Sequence, residues 1–311
     1  MNKKILGFDI GGTKTSLVLG DFNGNIYCKY VFPTLASKGF KKSFETIIHE
    51  TKDFIKRLPK EHEIDFLSVS IGGPLQVEKG IILSPPNLRD WKNIPLKKLL
   101  EKEFKKKCFI EHDGNAGALA EYYFGAGKKY KNIVFLTMGT GMGAGLILNG
   151  EIYRGSTDTA GEIGHIRISE DGPLAYGKKG SYESYASGFG IAKLAHFQFP
   201  AIYKKTITTK EIFEDFNKGK WEAKFIINLS ARYLGRGLAI IADLLNPDII
   251  IIGSLAVRMK NVLLKPAIKE MKKESLKETF NHCKVLQAKL GDKIGDVASL
   301  CAAISQAEKR V

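Results

Sequence analysis

The chain has 311 residues, 44% of them hydrophobic and 26% charged, with a net charge of +15. That length suits two domains with ample material for a core, and the composition excludes a disordered or fibrous chain. Cys28, Cys108, Cys283 and Cys301 lie far apart, which excludes a disulfide framework and a CxxC redox or metal site.

The opening Met1-Asn2-Lys3-Lys4 resembles the basic start of a signal segment, but Asp9 and the glycines after it interrupt the apolar stretch. No apolar run approaches the ~20 residues of a membrane span, and a cytoplasmic location is expected. Ile5 to Ile10 reads as a strand, Gly11-Gly12-Thr13-Lys14 as a tight turn, and Thr15 to Leu19 as a second strand with a polar turn at Asp21 to Gly24. Asn25 to Phe32 continues as a third strand. Phe44 to Leu58 is helical, with Phe44, Ile47, Ile48, Phe54 and Ile55 on one apolar face. Phe66 to Ile71 is a short strand ending at Gly72-Gly73-Pro74. Lys97 to Lys107 sets its lysines among Leu99, Leu100 and Phe104 at helical spacing, Cys108-Phe109-Ile110 is a strand, and Asp113 to Tyr123 is a helix. The densest lysine cluster is thus an amphipathic surface helix. The positive charge reads as a solvated surface, and no nucleic-acid or membrane partner is expected.

Ile133 to Met138, Gly139-Thr140-Gly141, Met142 to Leu148 and the turn Asn149-Gly150 repeat the opening unit of strand, glycine turn, strand and polar turn. A hairpin carried twice predicts two related domains facing each other. Arg154 to Gly180 is a long polar loop, a kind of segment that is usually functional. Helices follow over Tyr182 to Phe197, Lys210 to Asn217 and Trp221 to Leu245. Ile249 to Ile252 is a buried, parallel-type strand. Ser254 to Lys273 is mostly helical with a bend near Pro266, Lys284 to Leu290 is a strand, and Asp296 to Lys309 is a closing helix. Without a low-complexity linker, a hinge is expected between the halves.

Two phosphate motifs nearly fit. Gly7 to Thr15 resembles a Walker A loop, and Gly139-Thr140-Gly141 with Ala144 matches a loose dinucleotide fingerprint. Both motifs require a helix after the loop, and here a strand follows each. Each turn alone fits a structural hairpin as well as a phosphate loop. Two of them, with Thr13, Thr140 and Lys14, point to a nucleotide clamp in which the N–H groups of Gly12, Thr13, Thr140 and Gly141 face phosphate. Asp9, at the end of the first strand, suits either the water shell of Mg²⁺ or an Asx turn, and its glycine context favours the metal.

In combination these segments resemble the ROK family (repressor, open reading frame, kinase) over nearly the whole chain. The first phosphate loop resembles Asp9-Ile10-Gly11-Gly12-Thr13-Lys14, and the sugar-loop Asn resembles Asn87 in Pro85-Pro86-Asn87-Leu88-Arg89-Asp90-Trp91. The catalytic segment resembles Glu111-His112-Asp113-Gly114-Asn115-Ala116, and the second phosphate loop is Gly139 to Gly145. The sugar motif EIGH stands as Glu162-Ile163-Gly164-His165, and the adenosine loop resembles Asn246-Pro247-Asp248 through Gly253.

The resemblance implies an α/β fold of the actin/hexokinase-type ATPase superfold, two lobes on mixed sheets with flanking helices and a cleft between them. The expected lobes are residues 1–116 with the C-terminal helix 298–311, and residues 117–297 with the second phosphate loop and adenosine site. It implies an ATP- and Mg²⁺-dependent hexose kinase, most simply a glucokinase, with N-acylmannosamine or another aldohexose as the alternative substrate. The partners implied are a small-molecule sugar, ATP and a second copy in a homodimer. Family repressors carry a helix-turn-helix before the first glycine loop, and with Gly7 coming almost at once none is expected here. A sugar-binding protein without activity is a further alternative, opposed by Asp113.

The same resemblance makes Asp113 the general base, although its position alone favours a plain helix cap. Glu162, His165 and Glu183 are implied to bind sugar hydroxyls. His112 replaces the family's Asn before the catalytic Asp, and either binds sugar or supports Asp113. The family's zinc segment, Cys-x-Cys-Gly-x-x-Gly-Cys-x-Glu, is here Leu174-Ala175-Tyr176-Gly177-Lys178-Lys179-Gly180-Ser181-Tyr182-Glu183. All three thiolate positions, Leu174, Tyr176 and Ser181, are lost, so no structural zinc is expected, and apolar packing of Leu174 and Tyr176 is expected to replace it.

Overall fold

The computed structural model describes residues 3–59, 62–255 and 259–307. The chain divides into two compact units, Met1–Phe124 with Arg154–Ala160 and Asp292–Val311, and Gly125–Tyr153 with Gly161–Gly291. The first crossing therefore follows the whole helix that starts at Asp113, which packs on the closing helix Ile294–Ala307. Residues 308–309 of the expected closing helix and 256–258 of the expected Ser254–Lys273 helix lie outside the described residues.

In the first unit, β1 (Lys4–Ile10), β2 (Lys14–Asp21) and β3 (Ile26–Pro33) form an antiparallel meander. β4 (Ile64–Ile71) leads through the small hairpin β5 (Leu75–Gln76) and β6 (Ile81–Ile82) to β7 (Lys107–His112). The sheet order is β3-β2-β1-β4-β7, with β4 parallel to β1 and β7 parallel to β4. Leu6, Phe8, Leu17, Leu67, Val69 and Ile110 fill its core with Ile47 and Phe54 of α1 (Gly39–Lys56). Burial of these side chains is the main driving force for the unit. α2 (Leu96–Phe104) ends before the expected Lys107, because Lys105 adopts a left-handed φ of 53° and turns the chain into β7. α3 (Asp113–Phe124) and the closing helix lie on the sheet. That helix comes so near that a Cβ on Gly7 would sit 2.3 Å from Ser299 Oγ, and one on Gly20 2.4 Å from Leu300 Cδ1. Glycine is the residue that permits such an approach.

The parallel register pairs Ile10 with Ile71 and Ile71 with His112. Asp9 and its turn, Gly72-Gly73 and His112-Asp113 therefore emerge along one edge of the sheet, the carboxyl edge where α/β sheets present their ligand-binding loops.

The second unit repeats the plan. β8 (Ile133–Met138), β9 (Met142–Leu148) and β10 (Glu151–Tyr153) are antiparallel. After a short hairpin of β11 (Leu174–Ala175) and β12 (Lys178–Lys179), β13 (Ile249–Ile252) and β14 (Lys284–Gln287) complete the order β10-β9-β8-β13-β14, with β13 parallel to both neighbours. Thr15 to Leu19 and Leu146 to Leu148 are thus strands, as the hairpin reading requires. The expected Tyr182–Phe197 helix is two helices, α4 (Tyr182–Ala186) and α5 (Gly188–Gln198), because Ser187 caps the second by accepting from Gly190 N–H at 2.9 Å. α6 (Thr209–Asn217) opens on a capping box of Thr208 and Glu211. α7 (Trp221–Leu245) is, among the described residues, the one helix long and apolar enough to cross a membrane, contrary to the expectation that none approaches that length. Most of its apolar stretch is buried, against α4, α5, α6 and the helix Lys265–Glu274.

Candidate active site

In the first unit, Gly11 N–H donates to Lys14 O at 3.1 Å and closes the β1–β2 turn, leaving Thr13 and Lys14 exposed. The turn rests on the Asn87 loop, since a Cβ on Gly12 would lie 2.4 Å from Asn87 O. Asn87 itself is exposed, and its loop is anchored by the buried Trp91, which meets Phe40 edge-on at 5.1 Å.

Asp113 opens α3 with its side chain 53% exposed, and its Oδ1 accepts from Gly114 N–H at 2.7 Å. His112 lies behind it. The imidazole Nδ1 sits 3.2 Å from Gly114 N and 3.3 Å from Asp113 Oδ1, and the ring is so close to Gly73 that a Cβ there would lie 2.6 Å from His112 Cδ2. His112 is thus packed between the Gly73 backbone and the start of α3, beside Asp113.

Asp9 is half-buried, and its carboxyl is pushed up to about 6, first by burial and then by the charges of Asp113 and Asp296, against the pull of Lys14 and Lys29. Asp296 opens the closing helix and pairs with Lys29. Sequence reasoning did not place Asp296 here. Nor did it single out Glu111, which is fully buried one residue before His112. Glu111 Oε2 accepts from Arg154 Nε at 3.1 Å and Nη2 at 2.5 Å, and Oε1 from Asn115 Nδ2 at 3.0 Å and His112 N–H at 3.1 Å. A carboxylate in the apolar run Cys108-Phe109-Ile110-Glu111 was the available signal, because a fully buried charge needs a partner.

In the second unit, α5 fixes the Gly139–Gly141 turn: Gly188 N–H donates to Gly139 O and Phe189 N–H to Thr140 O, both at 2.9 Å. Glu183 Oε2 accepts from Met142 N–H at 2.9 Å, just after that turn. Glu162 and His165 are exposed on the short helical turn Ile163–His165, 3.8 Å apart. Gly164 seats that turn, since its Cβ would meet Met142 O at 2.5 Å and Glu183 Cβ at 3.4 Å. Glu162, His165, Glu183 and the Gly139-Thr140-Gly141 turn therefore form one cluster. Gly253 follows β13 and donates to Leu136 O at 2.9 Å. Asp248 accepts from the backbone N–H groups of Lys131 and Asn132, which makes it a strand anchor.

The ROK family model matches residues 5–304. The chain belongs to the ROK family. A glucokinase of Halalkalibacterium halodurans is 32% identical over 306 residues, covering 93% of this chain and 92% of that protein. A xylose repressor of Caldicellulosiruptor bescii is 28% identical over 316 residues, covering 97% of this chain and 78% of that protein. Among solved structures, a ROK family glucokinase from Streptomyces griseus in complex with glucose and AMPPNP is 30% identical, with a TM-score of 0.77 over 96% of this chain and 98% of that one. The fold is that of the actin/hexokinase-type ATPases, with a mixed sheet in each of two lobes.

This ROK chain departs from its family at the zinc segment. Among the described residues no group of three or more His, Cys, Asp or Glu side chains is placed to hold a metal ion. The three former thiolate positions have separate fates. Ser181 is buried and caps α4, accepting from Ser184 N–H at 3.3 Å. Leu174 is 60% exposed, which overturns the expectation that it packs in place of zinc. Tyr176 does pack, but as a polar aromatic. Its ring stacks on His165 with centroids 3.5 Å apart, and its O–H donates to Glu183 Oε2 at 2.5 Å.

Proposed function

We propose that the chain is an ATP-dependent hexose kinase, a glucokinase transferring the γ-phosphoryl group to the 6-hydroxyl of glucose. The observation that carries this reading is the carboxyl edge of the first sheet. There a glycine turn, the exposed Asn87 and an accessible carboxylate on a helix N-terminus lie on the same side. Phosphoryl transfer asks the protein for positioning, charge neutralisation and a proton acceptor more than for covalent chemistry. Asp113 is the proton acceptor: with Oδ1 held by Gly114 N–H, Oδ2 is left to take the proton of the attacking hydroxyl. His112 orients Asp113 from behind. Asn87, Glu162, His165 and Glu183 bind sugar hydroxyls. Lys14, Gly11, Gly12, Thr13, Gly139, Thr140 and Gly141 hold phosphate, and Gly253 lines the adenosine site.

Mg²⁺ fits Asp9. Burial and two neighbouring carboxylates oppose that residue's charge, and a cation delivered with the nucleotide would relieve them. Bound there through water, it would neutralise charge on the phosphate oxygens.

A coupled ADP-release assay with ATP, and separately polyphosphate, tests the reading across glucose, mannose, fructose, allose, N-acetylglucosamine and N-acetylmannosamine. Glucose is expected to be the best acceptor. Preference for N-acetylmannosamine would move the assignment to that kinase. No turnover with any sugar, together with sequence-specific DNA binding at physiological salt, would replace it with a repressor, as the repressor relatives allow. The protein is expected to act in the cytoplasm as a homodimer.

A further inference from the structure

We propose that Tyr176 is a specificity-determining positioning residue that organises the sugar-facing side chains without metal. The proposal rests on the kinase reading above. Tyr176 and Gly177 form the two-residue turn between β11 and β12, with φ of 54° and 70°. Such turns favour Asn or Gly first, because the left-handed region is costly for a bulky residue. A tyrosine there is held by what its side chain does, and local strain of this kind gathers at ligand-binding sites.

Its two contacts fall on two of the proposed sugar-binding groups. The ring lies on His165 at an interplanar angle of 23°, fixing the plane of the imidazole. The phenol donates to Glu183 Oε2, the same oxygen that accepts from Met142 N–H beside the second phosphate turn. With two donors on Oε2, the carboxylate is locked. Among the described residues no donor reaches Oε1, which remains to accept from a sugar hydroxyl. Burial and the Glu183 carboxylate raise the phenol far above its ordinary value, so it stays a donor throughout the working pH range. Exposed at 43%, Tyr176 is no pillar of the core. Its substitution reaches the site before it reaches the fold.

Two variants separate positioning from stability. Tyr176→Phe keeps the stack and loses the hydrogen bond. Tyr176→Asn loses both but suits the left-handed turn. Relative to wild type, Tyr176→Asn is expected to raise the hexose KM by about tenfold or more, with the ATP KM within about twofold and a melting temperature unchanged or higher. Tyr176→Phe falls between. The ring current of Tyr176 shifts the imidazole protons of His165 upfield in wild type and Tyr176→Phe, and the shift disappears in Tyr176→Asn. A hexose KM within twofold of wild type in Tyr176→Asn overturns the proposal, as does an equal rise in both KM values. So does a hexose affinity that drops on dialysis of wild type against a zinc-selective chelator. If wild type phosphorylates no sugar, the kinase reading fails on its own. The His165 spectrum and direct hexose binding by calorimetry then decide the role of Tyr176: a lost shift with weakened binding supports it, and either one unchanged overturns it.

Discussion

The two hairpins share a topology and differ in what they carry. At the first, the strand before the turn ends in Asp9-Ile10, and Asp113 and Asp296 bear on that carboxylate. At the second, the matching strand ends in Thr137-Met138, and the turn is held by backbone N–H groups of α5 and by Glu183. One copy has accumulated charge, and the other has been fixed in place. The two similar turns thus differ in their surroundings: carboxylates bear on the strand end before the first, and α5 and Glu183 brace the second. The Asp9–Thr137 contrast makes this division testable.

The largest effect is expected at Asp113. Asp113→Asn preserves the shape of the N-terminus of α3 and removes the proposed proton acceptor, and should lower kcat by about 10²–10⁴-fold while leaving hexose binding nearly intact. Near-normal turnover would place the reacting hydroxyl elsewhere. Beneath Asp113, the Glu111–Arg154 pair has no counterpart described at the second turn. Arg154→Ala leaves a fully buried carboxylate without its cation and should cost about 3–5 kcal/mol in urea unfolding. The double variant Glu111→Leu with Arg154→Met should cost less than the single one. If both cost under about 1 kcal/mol, the pair does not support the catalytic segment.

The hairpins were legible in the sequence because alternation and glycine turns are local signals. The same is true of α1 and α7, whose apolar positions recur at helical spacing. The convergence of Asp9, Asp113 and Asp296 was not legible. It depends on the parallel register of β1, β4 and β7 and on the closing helix lying across them, which no local pattern encodes. The break at Ser187 did have a local signal, the N-cap residue and two glycines of Ser187-Gly188-Phe189-Gly190, which the reading of one helix passed over; the hold of α5 on the Gly139–Gly141 turn, distant in sequence, had none. His165 and Glu183 were singled out through motif resemblance. Their link through Tyr176 was missed, because a tyrosine at a lost cysteine position reads as apolar filler.

Asp9 gives a pH-dependent contrast of the next size. Its folded value of about 6 exceeds the ordinary 3.8, so the folded protein holds the proton more tightly than the unfolded chain. Stability therefore falls as pH rises through this window, and the loss is complete above about 6. Asp9→Asn should be more stable than wild type at neutral pH by on the order of 2–3 kcal/mol, with the advantage vanishing below the ordinary carboxylate range. The same variant should lose most of its Mg²⁺-dependent turnover, a trade of activity for stability. Equal melting curves at both pH values would show that the first hairpin carries no unfavourable charge.

The smallest contrast compares two glycines. A Cβ on Gly12 would meet backbone, Asn87 O at 2.4 Å, whereas a Cβ on Gly141 would meet the end of a side chain, Glu183 Oε2 at 2.7 Å. Gly12→Ala must shift the Asn87 loop and should cost about 1–3 kcal/mol. Gly141→Ala must instead turn the Glu183 carboxylate away from its two donors, at about 1–2 kcal/mol with solvent taking over part of those bonds. That rotation breaks the Met142 N–H and Tyr176 O–H contacts, so the hexose KM of Gly141→Ala should rise several-fold in steady-state assays, with a smaller drop in melting temperature than in Gly12→Ala. The reverse pattern, with Gly141→Ala unstable but normal toward sugar, would mean that Glu183 is a structural prop of the second turn and not a sugar ligand.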